Sequence, residues 1–186
     1  LHLCDQHLSH MKAEKINTKD NLLLEVCLAA QYEGQSLVKQ YEEYKQQNND
    51  SNTDICTVLA RSFADIGDII RGKDLFRGYN EKDQQGKAKL QDNLKEIFGK
   101  IYHGLTDGGV KDHYKDDGPN YYQLREDWWD ANRNDVWKAI TCKAGNDSQY
   151  FRQTCAGGTS LTQDNCRCAA NIDPPTYFDY VPQFLR

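Results

Sequence analysis

The chain has 186 residues, 23 Lys and Arg against 28 Asp and Glu, a formal charge of −5, and a hydrophobic share of only 38%. That length suits one domain with its own core, and the acidic balance excludes a whole-surface attraction to nucleic acid or anionic membrane while leaving room for local basic patches. No stretch approaches the roughly 20 consecutive apolar residues of a membrane-spanning helix, and the opening residues lack the apolar run of a signal peptide.

From Asp20 to Gln47 the pattern predicts a long amphipathic helix. Thr18 is its N-cap, and Leu23, Cys27, Ala30, Gly34, Leu37, Tyr41 and Tyr44 form an inward stripe at alternating four- and three-residue spacing. A polar run, Gln46 to Asn52, ends it in a loop. A second helix from Asp54 to Arg71 buries Ile55, Leu59, Ser62, Ile66 and Ile69, with Gly72 at its C-terminal cap, so the first two helices form a hairpin.

A third helix, Lys87 to His103, buries Leu90, Leu94, Ile97 and Ile101, and Gly104 stops it. The Gly-, Asn-, Lys- and Gln-rich segment before it reads as an exposed loop, and Thr106 to Asn120 as a mobile connection. A fourth helix runs from Tyr121 to Lys143 with Leu124, Trp128, Val136 and Ile140 inward and Trp129 and Trp137 on an adjoining face; at helical spacing the three Trp belong to the core. Beyond Gly145 regular periodicity stops. The Cys155–Cys168 region reads as an irregular loop, and Pro174-Pro175 precedes a final aromatic segment.

Seven cysteines, Cys4, Cys27, Cys56, Cys142, Cys155, Cys166 and Cys168, point to an oxidising compartment and a disulfide framework. The odd count leaves one sulfur unpaired, bonded to another chain, or parted from a partner outside this stretch. A hairpin turning near residue 50 places Cys27 roughly 25 Å from the level of Cys56, which argues against that pair. Cys142, at the end of the fourth helix, is assigned as the partner of Cys27, and Cys166 and Cys168 each reach a different partner. The expectation is an all-α, disulfide-stapled helical bundle with long irregular loops.

Four strings carry a more specific signal. ARSFADIGDIIRGKDLFRG spans Ala60 to Gly78, LREDWWDANRNDVWKAITC spans Leu124 to Cys142, Cys-Arg-Cys stands at Cys166 to Cys168, and PPTYFDYVPQFLR spans Pro174 to Arg186. Upstream stand LHLCDQHL at Leu1 to Leu8 and LLLEVCLAAQYEG at Leu22 to Gly34. In this order they make the chain resemble the alpha class of Duffy-binding-like domains of Plasmodium falciparum erythrocyte membrane protein 1.

That resemblance implies a middle piece of one domain, residues 1–186. Residues 1–17 would end a first subdomain, 18–173 form the helical second, and 174–186 begin a third; Cys4 would then pair with a cysteine of the preceding part. It also implies a host-cell adhesion module on the extracellular face of the infected erythrocyte, exported by the parasite and antigenically varied. Membrane attachment would be only through a distant transmembrane segment. The implied partners are a host cell-surface receptor or a sulfated glycan such as heparan sulfate, antibodies, and neighbouring domains of the same protein, in rosetting or cytoadherence; no nucleic acid and no cofactor is implied.

Among the residues themselves, Arg71, Lys73, Arg77, Lys82, Lys87 and Lys89 cluster as a candidate patch for a polysulfated sugar, which needs grouped cations to displace its counterions. Asp74, Glu81 and Asp83 are interspersed, so a solvated loop is the competing reading. Lys12, Lys15 and Lys19 form a second group. His2, Cys4, His7 and His10 match no zinc spacing, and the sequence holds no phosphate loop, G-x-S-x-G or H-E-x-x-H, so no metal site or catalytic residue is assigned. Asn49-Asp50-Ser51 and Asn146-Asp147-Ser148 fit the glycosylation sequon and are taken as loop markers. The alternative function is a structural spacer and antigenic shield that leaves receptor binding to neighbouring domains; an intracellular zinc module would require free thiols and bound metal.

Overall fold

The computed structural model describes residues 8–47 and 54–186. Five α-helices dominate: α1 Lys19–Gln47, α2 Ile55–Arg71, α3 Glu81–His103, α4 Gly108–His113 and α5 Tyr122–Ile140. A two-residue antiparallel ladder, β1 Thr154–Cys155 with β2 Ser160–Leu161, lies in the irregular region that follows.

Local chemistry sets most of the helix ends. The Asn21 amide donates to Thr18 Oγ1 at 3.2 Å, making Thr18 the cap of α1, and the Cys56 amide donates to Asp54 Oδ1 at 3.0 Å. Gly72 closes α2 in the left-handed region at φ 73°, where a side chain would be strained. Helix α3 starts six residues before the expected Lys87. Asn80 Oδ1 accepts from the Asp83 amide at 3.0 Å and Asp83 Oδ2 from the Tyr79 amide at 3.3 Å, a reciprocal cap that carries the helix through Gly86.

The expected mobile connection, Thr106 to Asn120, instead contains α4 and is tied to α5. Tyr114 donates to Asp127 Oδ2 at 2.7 Å, and the two oxygens of Asp117 accept from the Gln123 and Leu124 amides at 2.9 and 2.8 Å.

Helix α1 packs on both α2 and α5, and α2 packs on α5. Phe63 of α2 sits between two tryptophans of α5, with ring centroids 5.1 Å from Trp129 and 5.2 Å from Trp137. All three Trp are buried, as are the expected core positions of α2 and α3. On α1 the inward stripe differs. Leu22, Val26, Ala29, Ala30, Glu33, Gly34 and Leu37 are buried, whereas Leu23, Cys27 and Tyr41 are half-buried and Tyr44 is exposed. A strict four-three alternation repeats every 3.5 residues and slips about 20° per heptad around a 3.6-residue helix, so its two ends leave the buried face.

Among the described residues two disulfides staple the irregular region, Cys56–Cys166 to α2 and Cys155–Cys168 from β1 to the segment after β2, so Cys166 and Cys168 do reach different partners. The expected Cys27–Cys142 bridge is not formed; both are free thiols. Gly34 rather than Cys27 lies level with Ile140 on α5, and Cys27 feels the charge of Asp135, so α1 and α5 run in the same direction. Cys27 is then about nine residues out of register with Cys142, roughly 13 Å along the helices, beyond the reach of a disulfide. Cys4 lies outside the described residues.

Candidate functional site

The six cations nominated from the sequence do not form one patch. Arg71 is 1% exposed. Its Nε donates to the Gly67 carbonyl at 3.0 Å, its Nη1 to Glu126 Oε1 at 2.9 Å and its Nη2 to Asp68 Oδ1 at 3.0 Å, with a further bond to the Asp179 carbonyl. Every donor group is thus directed inward, and none is offered to a ligand.

Lys73 pairs with Glu126 Oε2 at 2.5 Å, and Lys87 pairs with Asp74 Oδ2 at 2.7 Å while lying over the Phe76 ring. Burial alone would raise the Glu126 carboxyl, but the bonds from Lys73 and Arg71 outweigh it and hold the group below its ordinary range. Arg77, Lys82 and Lys89 remain as exposed cations. Lys12, Lys15 and Lys19 are exposed around the start of α1. His2, Cys4, His7 and the Asn49 sequon fall outside the described residues, and Asn146 is exposed on the loop after α5.

Arg71 belongs to a network that sequence reasoning missed, in which the last thirteen residues are strapped over α2 and α5. Asp179 is its buried centre. Its Oδ2 accepts from Trp129 Nε1 and Arg133 Nε, both at 2.8 Å, and its Oδ1 from Arg133 Nη2 at 2.9 Å. Arg133 also donates to the Thr176 carbonyl at 2.7 Å and to Asp173 Oδ1 at 3.2 Å. Burial would lower the Arg133 guanidinium, yet Asp179 raises it, so this ion pair stays charged. Arg186 donates to Asp65 Oδ1 at 2.8 Å and bonds Asp68 as well. Burial pushes both of those carboxyls up while Arg186 pulls them down.

A neighbouring arginine serves α2 differently. Arg125 is buried and donates from Nε to the Ile70 carbonyl at 2.6 Å and from Nη2 to the Ile69 carbonyl at 3.2 Å, satisfying the end of α2. With no carboxylate bonded to it, desolvation lowers its pKa to about 10.

Beside the strap lies a surface of different character. Leu75 and Phe184 line one cleft of about 440 Å³. Phe76 follows Leu75 in the chain and packs against Tyr79, Leu185 follows Phe184, and these five side chains are between 42% and 75% exposed. The run LFRGY in the sequence could have flagged part of this face, but nothing in it placed Phe184 alongside.

Comparison with known families settles what this arrangement belongs to. The Duffy binding domain family matches the chain from residue 1 to residue 186. The chain belongs to the Duffy binding domain family. It is 43% identical to the NTS-DBL1-alpha and CIDR-gamma double domain of PfEMP1 from the Plasmodium falciparum varO strain, with a TM-score of 0.76 over 99% of this chain and 25% of that one. It is 32% identical to the ICAM-1-binding DBLbeta domain of PfEMP1 IT4var13, with a TM-score of 0.71 over 100% of this chain and 39% of that one.

A DBLb domain of PfEMP1 solved bound to human ICAM-1 is 34% identical, with a TM-score of 0.66 over 98% of this chain and 36% of that one. Among curated proteins, the Duffy receptor gamma form of Plasmodium knowlesi is 28% identical over 123 residues, which is 66% of this chain and 9% of that protein. This chain therefore spans well under half the length of each of these relatives. The alpha-class resemblance read from the DIGD, LREDWW and PQFLR strings agrees with the DBL1-alpha neighbour, and the family is one of adhesion modules, not enzymes.

Proposed function

We propose that this Duffy binding domain is a host-cell adhesion module of a variant surface antigen, displayed on the extracellular face of the infected erythrocyte. The observation that carries the reading is its likeness, over essentially its whole length and at 34% identity, to a DBLb domain bound to human ICAM-1. Host erythrocyte or endothelial receptors are the proposed partners. Sulfated glycans are a second class, served by Arg77, Lys82 and Lys89, the nominated cations that remain exposed and unbridged among the described residues. Residues 18–173 act as the helical subdomain, and 174–186 lead into a third. Exposed loops around it would meet antibodies.

The test is adhesion of the isolated, correctly oxidised chain to erythrocytes, endothelial cells and immobilised human ICAM-1, with adjoining domains measured separately. Saturable binding by this chain alone supports the reading. Binding confined to adjoining domains makes it a structural spacer and antigenic shield, a reading favoured by the inward bonding of Arg71, Lys73 and Lys87.

A further inference from the structure

We infer that the C-terminal strap, residues 174–186, is a tension catch. A pull applied at Arg186 is held by side chains on α2 and α5; once these give way the strap is released as one unit, and the Cys56–Cys166 disulfide stops the extension. Adhesion as proposed above puts this end of the chain under load, and that use rests on the adhesion reading, whereas the stepwise release does not.

Three observations carry it. First, the strap has no backbone ladder to the helices among the described residues. Its backbone bonds are single turns within itself, such as the Tyr180 amide to the Tyr177 carbonyl at 3.0 Å and the Leu185 amide to the Pro182 carbonyl at 2.9 Å. Isolated turns of this kind resist extension little once the side-chain bonds around them are broken.

Second, those side-chain bonds fall at separate places. Asp179 is held by Trp129 and Arg133 of α5, each at 2.8 Å, and its carbonyl accepts from Arg71 of α2. Tyr180 donates to Asp130 of α5 at 2.6 Å. Gln183 grips the loop after α2, accepting from the Leu75 amide at 2.7 Å and donating to Asp74 Oδ1 at 3.0 Å. Arg186 reaches Asp65 and Asp68 in the middle of α2. Spaced anchors share a pull, and water cannot replace the buried Arg133–Asp179 pair until the strap has moved.

Third, a covalent stop lies behind the strap. Cys168 is tied to Cys155, which links the irregular region only to itself, but Cys166 is tied to Cys56 in the first turn of α2. Load therefore ends on α2 before release, through Asp65, Asp68 and Arg71, and on α2 again after it, through Cys56. That helix packs on both α1 and α5. The chain freed between the two states runs from Arg167 to Arg186, about 20 residues or roughly 70 Å when extended.

The experiment pulls single molecules of the oxidised chain between a handle at Lys39, exposed on α1, and one placed after Arg186. A control geometry runs from Lys39 to Gly108, where an added Cβ meets nothing within 4 Å and the strap lies outside the path. Expected in the first geometry is one early step of roughly 70 Å of contour, less the folded separation of its ends, before the domain unfolds. The control should lack it. At a fixed force Arg186→Ala should raise the rate of this step about ten-fold and Gln183→Ala several-fold, with control unfolding unchanged. The second variant guards against misfolding of the first.

Gradual lengthening without a step overturns the inference, as does a step whose rate neither folded variant changes. So does an equal acceleration in the control geometry, which would mean general destabilisation. A first step of about 45 residues, roughly 160 Å, would show that the chain runs out to the end of α5 and that the disulfide is no stop. A normal step in a chain that binds no cell upholds the catch and overturns only its use under load.

Discussion

Arg186 and Asp65 stand 121 residues apart in the chain and meet at 2.8 Å, Nη1 to Oδ1, so the last side chain is fastened to the first acid of the DIGD string. Asp68, three residues on, bonds both Arg186 and Arg71. The two most recognisable strings of the sequence thus meet in one largely buried network through Asp65, Asp68, Arg71, Asp179 and Arg186, and these five residues hold structure.

The centre of that network should be costly to remove. Asp179→Ala removes the acceptor of Trp129 Nε1 and the closer carboxylate of the buried Arg133, which keeps only Asp173 at 3.2 Å and the Thr176 carbonyl, and breaking a buried ion pair in this way costs about 3 kcal/mol. Urea unfolding followed by tryptophan emission should show that loss, with a shift in the native spectrum from Trp129. A change under about 1 kcal/mol would mean that the strap is not held through Asp179.

Arg71 and the exposed cations should separate cleanly. Arg71→Glu buries a carboxylate among Asp68 and Glu126 and should abolish folding or cost several kcal/mol, regardless of any ligand. Arg77→Glu with Lys89→Glu should leave the melting temperature within about 2 °C and weaken retention on heparin. Retention that survives this charge reversal in the folded variant would remove the glycan site.

Gly34→Ala tests the α1–α5 seam. Alanine favours a helix over glycine by about 1 kcal/mol, but a Cβ at this position would come 2.0 Å from the Ile140 carbonyl oxygen. Backbone cannot yield as a flexible side chain does, so overpacking of about 1–3 kcal/mol should outweigh the propensity gain. Thermal melting should show a lower midpoint, and a rise would show that the two helices can part at this level.

Glu126 gives a signed pH dependence. Its carboxyl lies below the ordinary 4.5 in the folded protein, so its stabilisation is present above that value and is lost as pH falls through the lower folded one. Glu126→Gln should melt about 2–4 °C below wild type at pH 7, a loss of about 1 kcal/mol, and the two curves should converge on acidification. Asp65 and Asp68 shift the other way, raised by burial, so the difference between the two proteins is the measurement. A gap that widens toward low pH would contradict this assignment.

The two free thiols should react unequally. Burial, aided by Asp135, pushes Cys27 up to about 11, leaving about a thousandth of it as thiolate at pH 8. Cys142 is exposed. Iodoacetamide should therefore modify Cys142 in the folded protein and reach Cys27 only after unfolding, as read by peptide mass spectrometry. Isolation of a Cys27–Cys142 peptide would show that the helices pair in another register.

Much of the fold was legible in the residues because its causes are local. Apolar spacing with Asp54 and Gly72 at the ends defines α2, and the tryptophans at helical spacing on α5 are core. The separate destinations of Cys166 and Cys168 followed from their closeness in the chain. The site was less legible. Arg71, Lys73, Arg77, Lys82, Lys87 and Lys89 look alike in sequence as formal charges, but Arg71 and Lys73 meet Glu126 from α5, Lys87 meets Asp74 of the preceding loop, and Arg71 also meets Asp68 one turn back on α2, while Arg77, Lys82 and Lys89 are exposed.

The sequence by itself determined a bundle of amphipathic helices, the caps Thr18 and Gly72, and the family. Only the tertiary structure decided that Arg71 is buried, that Cys27 and Cys142 are out of register, and that Leu75 shares a cleft with Phe184. The physical reason is range. Propensity and capping act within a few residues along the chain, whereas burial and charge pairing are set by side chains that become neighbours only after the helices have packed.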